Sequence, residues 1–96
     1  MKKLTERGTP MTLYRIYTEN KDAQTVCRLV SARFNGYTLY YGTGYWNGVP
    51  ERNLTVEILT KKSSIVRALA GEIRTALGQE AVLIVSIPCE SELVTG

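Results

Sequence analysis

Phe34-Asn35-Gly36-Tyr37-Thr38-Leu39-Tyr40-Tyr41-Gly42-Thr43-Gly44-Tyr45-Trp46-Asn47-Gly48-Val49-Pro50-Glu51-Arg52 carries four of the chain's eight glycines, four of its six tyrosines, and its only Trp and Phe. Thr38-Leu39-Tyr40-Tyr41 is the densest run of β-formers in the chain, and a strand is expected from Tyr37 to Gly44. Asn47-Gly48-Val49-Pro50 is turn chemistry, so the next strand folds back beside this one. That strand is expected over Asn53–Leu59, where Leu54, Val56 and Ile58 alternate with Thr55 and Glu57. A hairpin therefore sits in the middle of the chain, and the elements on either side of it decide the fold.

Helical spacing flanks it on both sides. Before it, Ala23, Val26, Cys27, Val30 and Phe34 mark a helix from about Asp22 to Phe34, with Asn35-Gly36 supplying a left-handed stop. After it, Ile65, Val66, Leu69, Ala70, Ile73, Ala76 and Leu77 form a broad apolar stripe, with Ser63 as the expected cap and Gly78 as the stop. Outside the helices lie two more strands. Thr12–Thr18 is rich in β-branched and aromatic residues; the apolar run Ala81–Ile87 reads as a strand buried on both faces and stopped by Pro88, with Cys89–Val94 as a short extra edge strand. The order β-α-β-β-α-β is the split arrangement of the ferredoxin-like α+β fold, a four-stranded antiparallel sheet with two helices on one face. Residues 1–11 are expected to be a flexible leader, and residues 12–96 a single domain.

Such a sheet leaves one face open. The first strand places Leu13, Arg15 and Tyr17 on one side and Tyr14, Ile16 and Thr18 on the other. An open face with apolar area is most cheaply covered by a second copy, which predicts a homo-oligomer.

Composition narrows the function. A net charge of +3, with basic residues scattered along the chain, suits small anionic ligands better than long nucleic acid. Cys27 and Cys89 form no disulfide framework, and without histidine no metal site is expected. No segment is long and apolar enough to span a bilayer and no secretory h-region precedes the domain, so a cytoplasmic location is expected. With no His for acid–base work and no pair of carboxylates at motif spacing, the chain reads as non-enzymatic and free of cofactors.

The strongest ligand candidates are Tyr45, Trp46, Asn47 and Arg52: rings for a base to stack on beside a guanidinium for phosphate oxygens. Trp46 has two open roles, contacting ligand or packing across a subunit boundary. Arg15, Tyr17 and Arg33 are second-rank contacts, with an exposed strand pair and a cation complementing a helix C-terminus as their structural alternatives. Gly42-Thr43-Gly44 lacks a following helix and reads as a bulge or bend rather than a phosphate loop. Gln79 and Glu80 read as corner residues that bond nearby backbone.

The order Gly36-Tyr37-Thr38, Gly44-Tyr45-Trp46-Asn47-Gly48, Glu51-Arg52 and Gln79-Glu80-Ala81-Val82-Leu83 resembles short uncharacterised proteins of bacteria, phages and mobile elements. It is also similar to a bacterial family of unknown function with a Gly-Leu-Thr, Gly-x-Trp, Glu-Arg-Ser and Gln-Glu-Ser-Val order. More distantly the layout resembles the P-II and CutA-like proteins. That resemblance implies a ferredoxin-like oligomer with ligand clefts between subunits. The chain departs from P-II in its short strand-two to strand-three connection, and from a metal-binding CutA-like role in lacking a His and Cys ligand set. The resulting expectation is an oligomeric protein holding a nucleotide-like or other anionic ligand near a subunit interface, in a phage context an anti-defence sponge for a nucleotide immune signal. The alternative is an interaction module or inhibitor docking through its sheet face or aromatic hairpin. Single-stranded RNA binding fits poorly, because Asn53–Ile58 lacks the basic-aromatic signature and carries Glu57.

Overall fold

A computed structural model describes residues 8–96. Its elements are β1 (Thr9–Glu19), α1 (Ala23–Ser31), β2 (Thr38–Trp46), β3 (Val49–Thr60), α2 (Ser63–Leu77) and β4 (Leu83–Ser91). The strands form one antiparallel sheet in the order β2-β3-β1-β4, which is the ferredoxin-like arrangement expected from the sequence.

Asn47 and Gly48 close the β2–β3 hairpin at φ 51° and 77°. Two consecutive left-handed residues make a two-residue turn whose twist matches that of the strands, and Asn and Gly are the residues that tolerate it best. The turn fixes the register: Trp46 opposes Val49, Tyr40 opposes Thr55 and Thr38 opposes Glu57. It also fixes which backbone groups are bonded. The pair next to the turn exchanges hydrogen bonds and the pairs then alternate, so even-numbered β3 residues face β1, in agreement with the bond from Asn20 N–H to the Arg52 carbonyl. Carried across the sheet, this alternation turns the ring nitrogens of Pro10, Pro50 and Pro88 away from any paired strand, so none removes a ladder bond.

Even-numbered residues of β1 and β3 form the core with the helices. Ile16, Leu54, Val56 and Ile58 meet Val26 and Val30 of α1 and Val66, Leu69 and Ile73 of α2, all essentially without solvent contact. Each such side chain contributes about 1.5–3 kcal/mol by its burial.

Several boundaries differ from the sequence reading. β1 begins at Thr9, so three residues assigned to the leader pair with β4; residues 1–7 lie outside the described residues. Asp22 starts α1 by accepting from Thr25 N–H at 3.1 Å, but the helix ends at Ser31 with a right-handed Ala32 and not at Asn35-Gly36. The N-cap of α2 is Lys62, without a side-chain cap bond, and Ser63 is already helical. Thr60 Oγ1 instead accepts from Lys62 N–H at 3.2 Å. Gly78, at φ 63°, is the left-handed stop that was expected.

β4 is an edge strand and not one buried on both faces: Ile84 packs on the core, while Leu83 and Ile87 are exposed. An apolar run has no alternation to reveal which side is covered. Pro88 does not stop the strand, which pairs with β1 through Ser91 and takes in the first three of the residues expected to form a separate edge strand; Glu92, Leu93 and Val94 are in no strand. Gly42-Thr43-Gly44 contains no bulge, since its register with β3 is unbroken. The glycines make room there: a Cβ would lie 3.0 Å from Asn53 Oδ1 at Gly42 and 3.1 Å from Asn53 Nδ2 at Gly44, so the amide of Asn53 rests against both.

Candidate functional site

Odd-numbered residues of β1 and β3 point away from the helices, and the register brings residues from three strands together there. Tyr40, Thr55 and Tyr17 form one row across β2, β3 and β1, and Thr38, Glu57 and Arg15 form the next. Arg15, Tyr17, Tyr40 and Thr55 line an open groove of about 360 Å³. Such a volume is at the small end of ligand sites. Thr55 forms its floor, and is buried although it lies on the uncovered face of the sheet, because it sits between two tyrosines.

Glu57 organises the polar end of the groove. One carboxylate oxygen accepts from Arg15 Nε at 2.9 Å, and the other accepts from the Tyr40 hydroxyl at 3.3 Å. The hydrogen bond to Glu57 raises the Arg15 pKa above its usual value, which keeps the guanidinium charged throughout the working pH range. The bond uses Nε, and the two Nη groups take no part in it. Glu57, itself bonded by Tyr40, gives the Arg15 cation a fixed partner in a groove that two tyrosines also line.

The sequence candidates divide among three places. Arg15 and Tyr17 are in the groove. Tyr45 and Arg52 project from the helix side of the β2–β3 ribbon and Trp46 from the opposite side, because opposed residues share a face and successive residues alternate. Asn47 is in the turn. The four residues expected to form one ligand surface are therefore not on one face, and Trp46 lies six residues from Tyr40 along β2, about 20 Å at strand rise. Tyr45 and Trp46 are 72% and 71% exposed. Arg33 belongs to the helix layer, where Nε donates to Glu72 Oε1 at 3.2 Å and Nη2 donates to Oε2. That pairing holds the Arg33 pKa above its usual value and the Glu72 pKa below.

Tyr40, Thr55 and Glu57 were not singled out from sequence. The turn carried the signal, since counting back from the pair Trp46–Val49 places Tyr40 opposite Thr55. Among the described residues no group of three His, Cys, Asp or Glu side chains is placed to hold a metal, and no helix is long and apolar enough to cross a membrane.

The amino-acid sequence matches no family model and no curated protein. Solved structures do match the fold. A DUF3240 family protein from Shewanella baltica superposes with a TM-score of 0.71 at 11% identity, covering 90% of this chain and 97% of that one. CPII, a nitrogen regulatory PII-like protein from Thiomonas intermedia bound to ADP, AMP and bicarbonate, gives 0.69 at 12% identity, covering 93% and 100%. CutA1 from Oryza sativa gives 0.60 at 14% identity, covering 90% and 85%. The chain shares its ferredoxin-like architecture with PII-like and CutA proteins. A phage SAM lyase in its apo state has the same arrangement, with a TM-score of 0.57, 16% identity and coverage of 94% and 98%. The fold thus carries both ligand-binding proteins and an enzyme, and function has to be argued from the site.

Proposed function

We propose that this chain is a non-enzymatic, self-associating protein that holds a small anionic, nucleotide-like ligand on the open face of its sheet, at or near a subunit boundary. The observation that carries this reading is that Arg15, bonded to Glu57, lines one groove together with Tyr17 and Tyr40. A phosphate or carboxylate pairs with the Nη edge of the guanidinium while a base or other flat group lies against a phenol ring. The PII-like neighbour bound to ADP, AMP and bicarbonate supports this ligand class. The chain has no histidine, which supports binding without turnover. In a phage or mobile element such a protein serves as a sponge for a nucleotide immune signal.

The test is calorimetry and thermal shift with ADP, AMP and cyclic nucleotides, followed by recovery of the ligand by heat and analysis of its chemical form. Wild-type protein is expected to bind and to release the ligand unchanged, and Arg15→Ala to lose at least about tenfold in affinity. A chemically altered ligand makes the protein an enzyme, as the phage SAM lyase is. Equal affinity of wild type and Arg15→Ala removes the groove as the site.

A second reading has its own observation. Trp46 and Val49 are exposed on the same face of a ribbon that extends beyond the end of β1, which suits docking onto another protein. Pull-down of a specific partner that is lost in Trp46→Ala, with no bound small molecule, favours that reading.

A further inference from the structure

The two edges of the sheet are built differently. β4 carries Pro88 and Glu90, features that discourage another strand from pairing. β2 has no charge, no proline and no bulge over Thr38–Trp46. Its odd-numbered residues Leu39, Tyr41, Thr43 and Tyr45 turn their N–H and C=O groups outward, because the even-numbered ones are used on β3. Among the described residues it is an uncharged edge with no strand beyond it, whose outward backbone bonds are on offer.

Its sequence is also symmetric. Tyr40-Tyr41-Gly42-Thr43-Gly44-Tyr45-Trp46 reads as two aromatics, glycine, threonine, glycine and two aromatics. An antiparallel two-fold pairing centred on Thr43 sets Tyr41 opposite Tyr45 of the partner subunit on the helix side. On the open side it sets Tyr40 opposite Trp46 of the partner subunit and Gly42 opposite Gly44 of the partner subunit. Thr43 then exchanges both backbone bonds with Thr43 of the partner subunit. Every aromatic meets an aromatic and every glycine a glycine, as an isologous contact requires, and cross-strand aromatic pairs are among the more stabilising ones.

We propose that two copies of this chain pair edge to edge through β2, in antiparallel register about Thr43, joining two four-stranded sheets into one. The occupant of this edge is a second copy because the segment is its own complement. The pairing deepens the ligand reading above and rests on it in one respect: Trp46 of the partner subunit comes to lie beside Tyr40, at the rim of the groove, so each ligand site takes one wall from the other subunit. This gives Trp46 a subunit contact and a place at the site together, although within one chain it is far from Arg15.

The register makes the test specific. Hydrogen-bonded antiparallel pairs hold their Cα atoms about 5.5 Å apart, within reach of a disulfide. Thr43→Cys, in a chain with Cys27→Ser and Cys89→Ser, is expected to cross-link to a dimer under mild oxidation, whereas Leu39→Cys in the same background is not. Thr43→Pro removes the central donors and is expected to raise the dimer dissociation constant by roughly tenfold or more in sedimentation, with an unchanged far-ultraviolet spectrum. A wild-type chain of monomer mass, or an oligomer that Thr43→Pro leaves intact and Thr43→Cys does not cross-link, overturns the proposal. Trapping needs no ligand. A cross-linked dimer that binds no ADP therefore keeps the β2 seam and removes the ligand reading, while ADP binding by a strictly monomeric chain keeps the groove as a ligand site and removes both the seam and the self-association.

Discussion

Gln79 is only 6% exposed, yet its amide is used at both ends. Its oxygen accepts from Glu19 N–H at 3.1 Å, and its nitrogen donates to the Thr18 hydroxyl. Its own carbonyl accepts from Arg74 Nη1 at 3.3 Å. One residue therefore ties the end of α2 to the end of β1. Gln79→Ala leaves the half-buried Glu19 N–H and the buried Thr18 hydroxyl without these partners and is expected to cost about 1–3 kcal/mol in urea unfolding with an unchanged m-value. Stability equal to wild type would show that the bracket is dispensable. The corner role was legible from Gln79 following Gly78, but its partners were not, because they lie 60 and 61 residues away in the chain. The same limit split the ligand candidates: Tyr45 and Trp46 are neighbours in sequence, but neighbours in a strand face opposite sides.

At the scale of elements, α1 has nine residues, too few to persist without capping and packing. Asp22 supplies the cap, its Oδ1 accepting from Thr25 N–H at 3.1 Å and its Oδ2 from the Thr25 hydroxyl at 2.7 Å. These bonds, led by the one from the hydroxyl, hold the Asp22 pKa below its usual value. A carboxylate depressed on folding contributes stability that is fully present above its unfolded pKa, about 3.9, and is lost as pH falls through the lower folded value. Asn keeps a capping oxygen and does not titrate. Wild type is therefore expected to lose its margin over Asp22→Asn as pH falls below about 4, measured as the difference in urea midpoint at each pH. A margin that stays constant into acid would mean that the charge on Asp22 does not matter to α1. The start of this helix was legible because a cap is local, within one turn. Its end was misplaced because Asn35-Gly36 imitates a left-handed stop in sequence, while the helix ends at Ser31 without one, the N–H groups of Arg33 and Phe34 both bonding the Val30 carbonyl.

Over the whole molecule, element order was readable from local signals, helical and alternating periods, β-former runs and turn residues, which survive without knowledge of partners. The groove was not readable from periodicity, because it is made by register: three strands have to be aligned before Arg15, Tyr40 and Glu57 become neighbours. That alignment places a carboxylate against the one cation that lines the groove among the described residues, and the two charges have opposite effects on an anionic ligand. Glu57 is bonded to Arg15 Nε, and its negative charge would oppose the proposed anionic ligand. Arg15 and Glu57 side chains retain 38% and 18% exposure, so solvent screens their pairing and folding does not hinge on it. Glu57→Gln keeps shape and hydrogen-bonding capacity and removes the negative charge. Removing one charge several ångströms from a bound anion in a partly solvated site corresponds to roughly three- to tenfold in affinity. Glu57→Gln is therefore expected to tighten ADP binding by about that factor at low salt, Arg15→Gln to weaken it by at least as much, and both differences to shrink toward about 1 M salt as screening sets in. The measurement is calorimetric titration of the three proteins across a salt series. If Glu57→Gln weakens binding, Glu57 contributes more by positioning Arg15 than it costs by repulsion. If neither variant moves the affinity, the anion is not held by Arg15 and the site lies elsewhere on the chain.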